Sequence, residues 1–275
     1  HNMLVHCGEG TQLQLRRYGI SFARIDHIFL SHLHGDHFLG LPGLLSTMAL
    51  HSVEGDVTVH TFAEGVDILR PLINAVCRER TYSLHWDVVE PGTTSTVFDD
   101  GSLRVTAFPL YHRVPCVGYR FDEVNKRRHI DRESCDYYGV PNFLMNEIKD
   151  GADLVLPDGV VVPNERLTTD PTPPASYAYC SDTAMDMRVA EAVKGVEVLY
   201  HESTYGDDGL HKAAPRGHST ARQAGEIARA AGAGTLVLGH YSKTIFDEAR
   251  LASEAAEVFD GKVIAGNEGI KIDLA

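Results

Sequence analysis

The chain has 275 residues, 43% of them hydrophobic, enough to bury a substantial core and ordinary for a layered α/β domain. Acidic residues outnumber basic ones by 38 to 25, and a formal charge of -13 gives a bulk field that repels nucleic acid and anionic membrane and weighs against a generic nucleic-acid binder. A local cationic site remains open, because two bound divalent ions would add about four positive charges that the count omits.

The apolar runs are too short for a membrane span. Cys7, Cys77, Cys116, Cys135 and Cys180 are odd in number, widely spaced and without a C-x-x-C pair, which fits neither a disulfide framework nor a zinc ribbon. They point to a reducing, cytoplasmic setting. No signal peptide is visible, and the chain opens abruptly at His1 inside what reads as a strand, as if residues upstream were missing.

In chain order, β-rich runs predict strands at Met3 to Val5, Ile25 to Leu30, Val57 to His60, Leu84 to Val89, Leu103 to Leu110 and Val117 to Phe121. Further strands follow at Tyr177 to Cys180, Val196 to Tyr200, Thr235 to Leu238 and Lys262 to Ala265. Helical periodicity falls at Ala63 to Cys77, Met185 to Val193, Thr220 to Ala231 and Phe246 to Phe259. The third of these helices is bounded on both sides, by a capping hydroxyl at Ser219 or Thr220 and by "GAG" at its end. The alternation is that of an α/β fold. Between about residues 122 and 175 the pattern loosens into a hairpin-like "VLPDGVVV" and a proline-rich exit, which reads as an insertion on one domain spanning 1–275.

The chemistry concentrates in "SHLHGDHFLG", where His32, His34, Asp36 and His37 crowd six residues after an apolar run. Four such side chains are hard to bury without unsatisfied polar groups, whereas metal ions would satisfy them. His32 and His34 can face one point and Asp36 and His37 another, so two metals are expected. Further ligands end other strands: His112 after "LRVTAFPLY", Asp182 after "SYAYCS" and His240 after "GTLVLG". The seven divide into His32, His34 and His112 on one ion and Asp36, His37 and His240 on the other, with Asp182 between. Imidazole and carboxylate without thiolate suit zinc, with manganese or iron as alternatives, in an open rather than a structural site.

These residues resemble the metallo-β-lactamase superfamily, whose H-x-H-x-D-H signature stands here as "HLHGDH". "CGEGTQLQL", "YHRVPCVGYRF", "YCSDT", "HEST", "GHST" and "LGHYS" follow in an order similar to that of the ribonuclease Z family of tRNA 3'-processing endonucleases. The resemblance implies a four-layer αββα sandwich with an inserted arm, a homodimer, two zinc ions per chain, and cleavage of precursor tRNA after the discriminator nucleotide. The products would be a 3'-hydroxyl on the tRNA and a 5'-phosphate on the trailer. A hydroxide held between the ions would be the nucleophile, Asp36 would orient the water's proton, and His218 would protonate the leaving oxygen with Glu202 as its orienting partner. His201 reads as structural, and Ser219 or Thr220 as a cap with phosphate contact as a second role. The basic stretch Lys126 to Arg132 in the arm is expected to meet the tRNA elbow.

Three departures from the family pattern stand out. His6 replaces the usual aspartate before "CGEG", the family's first strand and its glycine-containing turn are absent, and the arm lacks the Gly-Pro pair of many members, which implies an altered or shortened arm. Two other readings keep part of this pattern. A small-molecule hydrolase of phosphodiesters, thioesters or lactams would leave a 3'-extended tRNA intact, and a degenerate RNA-binding scaffold would purify with far less than two metals.

Overall fold

The computed structural model describes residues 1–274. The first half alternates strand and helix: β1 (Met3–Val5), α1 (Thr11–Arg17), β2 (His27–Phe29), α2 (Gly35–Phe38), α3 (Leu41–Leu50), β3 (Gly55–Thr61), α4 (Ala63–Val76) and β4 (Tyr82–Val88). Its four strands form a parallel sheet in the order β1-β2-β3-β4. Helical crossovers cover a parallel sheet on one face. Here Leu41, Leu44, Leu45 and Met48 of α3 and Leu69 and Ile73 of α4 bury against Ile28, Leu30, Val57 and Val59.

An antiparallel meander follows, β5 (Ser95–Asp99), β6 (Leu103–Leu110) and β7 (Cys116–Glu123). After the arm come β12 (Ser176–Cys180), α7 (Met187–Ala192), β13 (Val198–Glu202), α8 (Leu210–Arg216), α9 (Ala221–Ala231), β14 (Thr235–Gly239), α10 (Glu248–Ala256) and β15 (Lys262–Ala265). These strands complete a seven-stranded sheet in the order β15-β14-β13-β12-β7-β6-β5. Ala224, Ile227 and Ala228 of α9 and Leu251 of α10 bury against Ala178, Leu199 and Leu236 on its outer face.

Between the sheets lies a third apolar layer of Phe29, Val105, Val117 and Tyr119, so the order is helix, sheet, sheet, helix. The Tyr119 hydroxyl donates across that layer to the Leu30 carbonyl at 2.8 Å, and the Val117 N–H donates to Ser31 at 2.9 Å. These bonds hold the loop after β2 against β7.

The arm, residues 124–175, carries β8 (His129–Ile130), α5 (Arg132–Tyr137), α6 (Met145–Lys149), β9 (Leu154–Val155), β10 (Val161–Val162) and β11 (Thr168–Thr169). β9 and β10 pair as an antiparallel hairpin and β11 pairs with β8. Cys135, Val140, Ile148, Leu154, Val162 and Leu167 give the arm a small core of its own.

Several elements depart from the sequence reading. α1, α3, α8, the strand β5 and the arm helices α5 and α6 were not expected. The helix read at Phe246 to Phe259 spans only Glu248–Ala256, started by the Asp247 carboxylate accepting from the Arg250 N–H at 3.1 Å. All five cysteines are free and buried. Among the described residues no helix is long and apolar enough to cross a membrane.

Candidate metal centre

The loop after β2 is clamped by the loop after β1. The Cys7 N–H donates to the His37 carbonyl at 2.8 Å and the Gly40 N–H to the Cys7 carbonyl at 2.9 Å. Gly8 lies so close that a Cβ there would collide with the Asp36 carbonyl, which is why "CGEG" needs its first glycine. His112 follows β6, Asp182 follows β12 and His240 follows β14 at φ 57°. All seven expected ligand residues therefore arrive at one edge of the sandwich.

They meet in two groups. His32, His34, His112 and Asp182 place one ligand atom each within 4.8 Å of one another, and so do Asp36, His37 and His240. Asp182 stands between: one oxygen lies 3.6 Å from His32 Nε2 and 3.5 Å from His37 Nε2, the other 3.2 Å from His240 Nε2. His32 Nε2 is 3.1 Å from His34 Nδ1, which is 3.2 Å from His112 Nε2. Nitrogens bound at 2.0–2.1 Å in a tetrahedron are about 3.3 Å apart, so this spacing suits zinc.

The outer hydrogen bonds fix which nitrogen each ring presents. His112 Nδ1 donates to the Gly217 carbonyl at 2.7 Å, and His32 Nδ1 faces the Ser31 hydroxyl at 2.9 Å. His240 Nδ1 faces Thr204 Oγ1 at 2.9 Å and His37 Nδ1 faces His6 at 3.0 Å. With Nδ1 engaged in all four, Nε2 is left for the cleft, the arrangement that outer partners impose on metal-bound histidines. His37 Nε2 is buried without a hydrogen bond, 3.3 Å from an Asp36 oxygen and 3.5 Å from an Asp182 oxygen, where an ion between them would satisfy all three.

Electrostatics favour the same donor set. Burial, with His37 next to it, lowers the His32 pKa to about 3, and burial lowers His112 as well, so both rings are neutral donors. Burial alone would raise the Asp182 pKa, but contact with His37 and the facing His240 and His32 overturn that and hold its carboxyl ionised. The donors present therefore fit a pair of divalent ions.

Glu202 and His218 form a second constellation beside the first. Glu202 is fully buried and all its partners are donors: Thr183 N–H at 3.0 Å and His218 Nδ1 at 2.8 Å on one oxygen, Thr204 N–H at 2.9 Å and the Thr204 hydroxyl at 2.7 Å on the other. Burial opposes charge on His218, but the Glu202 hydrogen bond and charge outweigh it, and its pKa is raised. Glu202 has no exposed surface, and the imidazole that its carboxylate meets is His218.

Two residues went unread in the sequence. Thr204 ties His240 to Glu202, and its signal was its place two residues after Glu202 in "HEST". Gly217 acts through its carbonyl on a ring 105 positions away, and no side-chain pattern announces that. The expected phosphate contact of Ser219 and Thr220 needs correction. Ser219 is fully buried and donates to the Thr183 carbonyl at 2.7 Å, and Thr220 is consumed by a capping box with Gln223. His201 is buried, with Nδ1 on the Glu202 carbonyl at 2.7 Å, away from either ligand group.

A model of the Beta-lactamase superfamily domain matches residues 1–167, and with the αββα layers and the His/Asp set it defines a metallo-β-lactamase-fold protein. The chain is 45% identical over 271 residues to "Ribonuclease Z" of Parabacteroides distasonis, covering 98% of this chain and 89% of that protein. It is 42% identical to "Ribonuclease Z" of Bacteroides fragilis strain YCH46, over the same shares. On this similarity the chain belongs to the ribonuclease Z family. Human tRNase Z, short form, shares the fold at TM-score 0.67 and 23% identity, covering 99% of this chain and 88% of that one. The metallo-β-lactamase fold protein YhfI of Bacillus subtilis does so at TM-score 0.66 and 19% identity, covering 98% and 85%.

Proposed function

We propose that the chain is a metal-dependent endoribonuclease that removes 3' trailers from precursor tRNA. The observation that carries this is the convergence of His32, His34, His112 and Asp182 with Asp36, His37 and His240 in a member of this family. These seven residues would hold two divalent ions, zinc by the donor set. When bound, such a pair supplies Lewis acidity that lowers the pKa of water and offsets charge on the phosphoryl oxygens.

The chain's own residues do the rest. Asp182 holds the two ligand groups in register, and Asp36, whose side chain is 67% exposed, reaches into solvent where an attacking water enters. His218 donates its Nδ1–H to Glu202, which leaves the Nε2–H as the proton a general acid would give the departing 3'-oxygen. The same reading includes a homodimer and a cytoplasmic setting, supported by the family and by five free, buried cysteines.

The test is incubation of the purified chain and its Asp36→Ala variant with a 3'-labelled precursor tRNA, mapping the cut end. A cut after the discriminator by the wild type alone is expected, and an intact transcript alongside turnover of bis-p-nitrophenyl phosphate would assign a small-molecule hydrolase instead.

A further inference from the structure

The outer partner of His37 is itself a histidine, His6. His6 stands at the exit of β1 with φ 66°, a region that a Cβ disfavours. Its N–H donates to the Phe29 carbonyl at 2.8 Å, and the next residue is bonded to His37, so the ring is pressed against the back of the site. Its Nδ1 lies 3.0 Å from His37 Nδ1 and 3.1 Å from the Tyr179 hydroxyl. Its Nε2 faces the Ser31 hydroxyl and, at 3.4 Å, that of Ser181. The Ser31 oxygen in turn lies 2.9 Å from His32 Nδ1.

One placement of protons lets His37 and His32 both turn a bare Nε2 to the cleft. The His37 Nδ1–H donates to His6 Nδ1, which is then unprotonated. The His6 proton sits on Nε2 and goes to Ser31, whose oxygen also accepts from His32 Nδ1–H. We propose that His6 is a positioning residue that locks the tautomers of His37 and His32 together, through a neutral relay His37–His6–Ser31–His32 joining the two ligand groups. His6 also places a ligand atom within 4.8 Å of those of His32 and His37, but the relay gives it the place of a partner rather than a ligand. Its Nδ1 meets the nitrogen of His37 that faces away from the cleft, and its Nε2 is taken by Ser31.

This inference rests on the metal-centre reading and is tested by metal binding rather than turnover. The metal-free chain and its variants are reloaded with zinc in competition with a chromophoric chelator, and separately with cobalt, whose visible absorption reports ligand geometry. His6→Ala removes the acceptor of His37. Loss of such an outer partner costs about 10–100-fold in metal affinity, so one of the two ions should bind that much more weakly with an altered cobalt band. His6→Asn puts an amide oxygen where His6 Nδ1 stood and should restore that affinity to within about five-fold of wild type, the residue lost being the link to Ser31.

His6→Leu keeps the volume and replaces His6→Ala in the comparison should the smaller side chain prevent folding. A folded Ala or Leu variant that binds both ions like wild type overturns the proposal, as does a folded Asn variant no better than either. A wild type that takes up no divalent ion removes the metal centre and the relay with it, an outcome distinct from variants that all bind alike.

Discussion

His112 and Gly217 are bound to each other through a single contact, the ring Nδ1–H donating to the glycine carbonyl at 2.7 Å. Gly217 has φ 71°, closing α8 in the left-handed conformation, and a Cβ there would lie 2.8 Å from His112 Nδ1 and 3.1 Å from the Arg113 nitrogen. Gly217→Ala should cost about 1–2 kcal/mol for the backbone alone and push His112 off its ligand position. A lower melting temperature together with loss of about one metal per chain is the expected pair of results. Wild-type metal content in a folded Gly217→Ala protein would show that His112 does not depend on this carbonyl.

Asp182 is the buried carboxylate of the ligand set, with both oxygens within 3.6 Å of ring nitrogens, whereas Asp36 is largely exposed. Asp182→Asn keeps the size but replaces one oxygen with an N–H donor and deletes the charge that both groups share. Changes to outer partners alone cost about 10–100-fold, so this inner change should lower turnover by more than about a hundred-fold and leave no more than one ion bound. Metal analysis of the purified variant decides it, and two retained ions would remove Asp182 from its central role.

Much of this was legible because the ligands stand at strand ends, where a short apolar run stops at a polar residue: His112, Asp182 and His240 each follow β6, β12 and β14 in that way. α9 was legible at both ends, because Thr220 and Gln223 form a capping box and Gly232 takes the left-handed turn at φ 67°. α3 was not. Pro42 and Gly43 look like breakers, yet proline is well tolerated in a first turn, and Leu41, Leu44, Leu45 and Met48 are all buried, which blurs the amphipathic stripe. α1 hid for the opposite reason: it starts at Gly10 with no side-chain cap. The hydrogen bonds behind the site, from His6, Thr204 and Gly217, join segments remote in sequence, and only the fold brings them together.

Glu202 raises the His218 pKa, and the sign of that shift fixes a pH effect. The charged ring is stabilised below its ordinary pKa and the contribution is lost as pH rises through the raised value. If His218 donates the proton to the leaving oxygen, kcat/KM falls on the alkaline side as the ring deprotonates. Glu202→Gln should move that alkaline limb to lower pH, while His218→Gln should abolish it and reduce turnover about 10²–10⁴-fold with both metals retained. An alkaline limb unmoved in Glu202→Gln would detach this pair from proton transfer.

Thr220 offers a stability test at the edge of the site. Its hydroxyl accepts from the Gln223 N–H at 3.2 Å and its own N–H donates to the Gln223 side chain at 3.0 Å. Thr220→Ala should destabilise the protein by about 1 kcal/mol, read as a shift in a denaturant midpoint, with metal content unchanged. Loss of metal in that variant would mean that the start of α9 also positions the ligands.

The basic stretch of the arm is less free than its sequence suggests. Lys126 pairs with Glu123 at 2.6 Å, Arg127 with Asp150 at 2.5 Å, Arg128 with Asp170 at 2.7 Å and Arg132 with Asp136 at 3.0 Å. Yet Arg127, Arg128, Arg132 and Lys149 line one hollow of about 570 Å³, a place where a phosphate would meet several cations. RNA docking there must compete with the acids already in place. Asp150→Asn removes the anion paired with Arg127 and leaves it only the neutral groups of Asn146, so precursor tRNA should bind several-fold more tightly at low salt. The slope of log affinity against log salt should also steepen by about 0.7–0.9, the value of one further phosphate contact. Affinity and slope equal to wild type would place the RNA elsewhere on the chain.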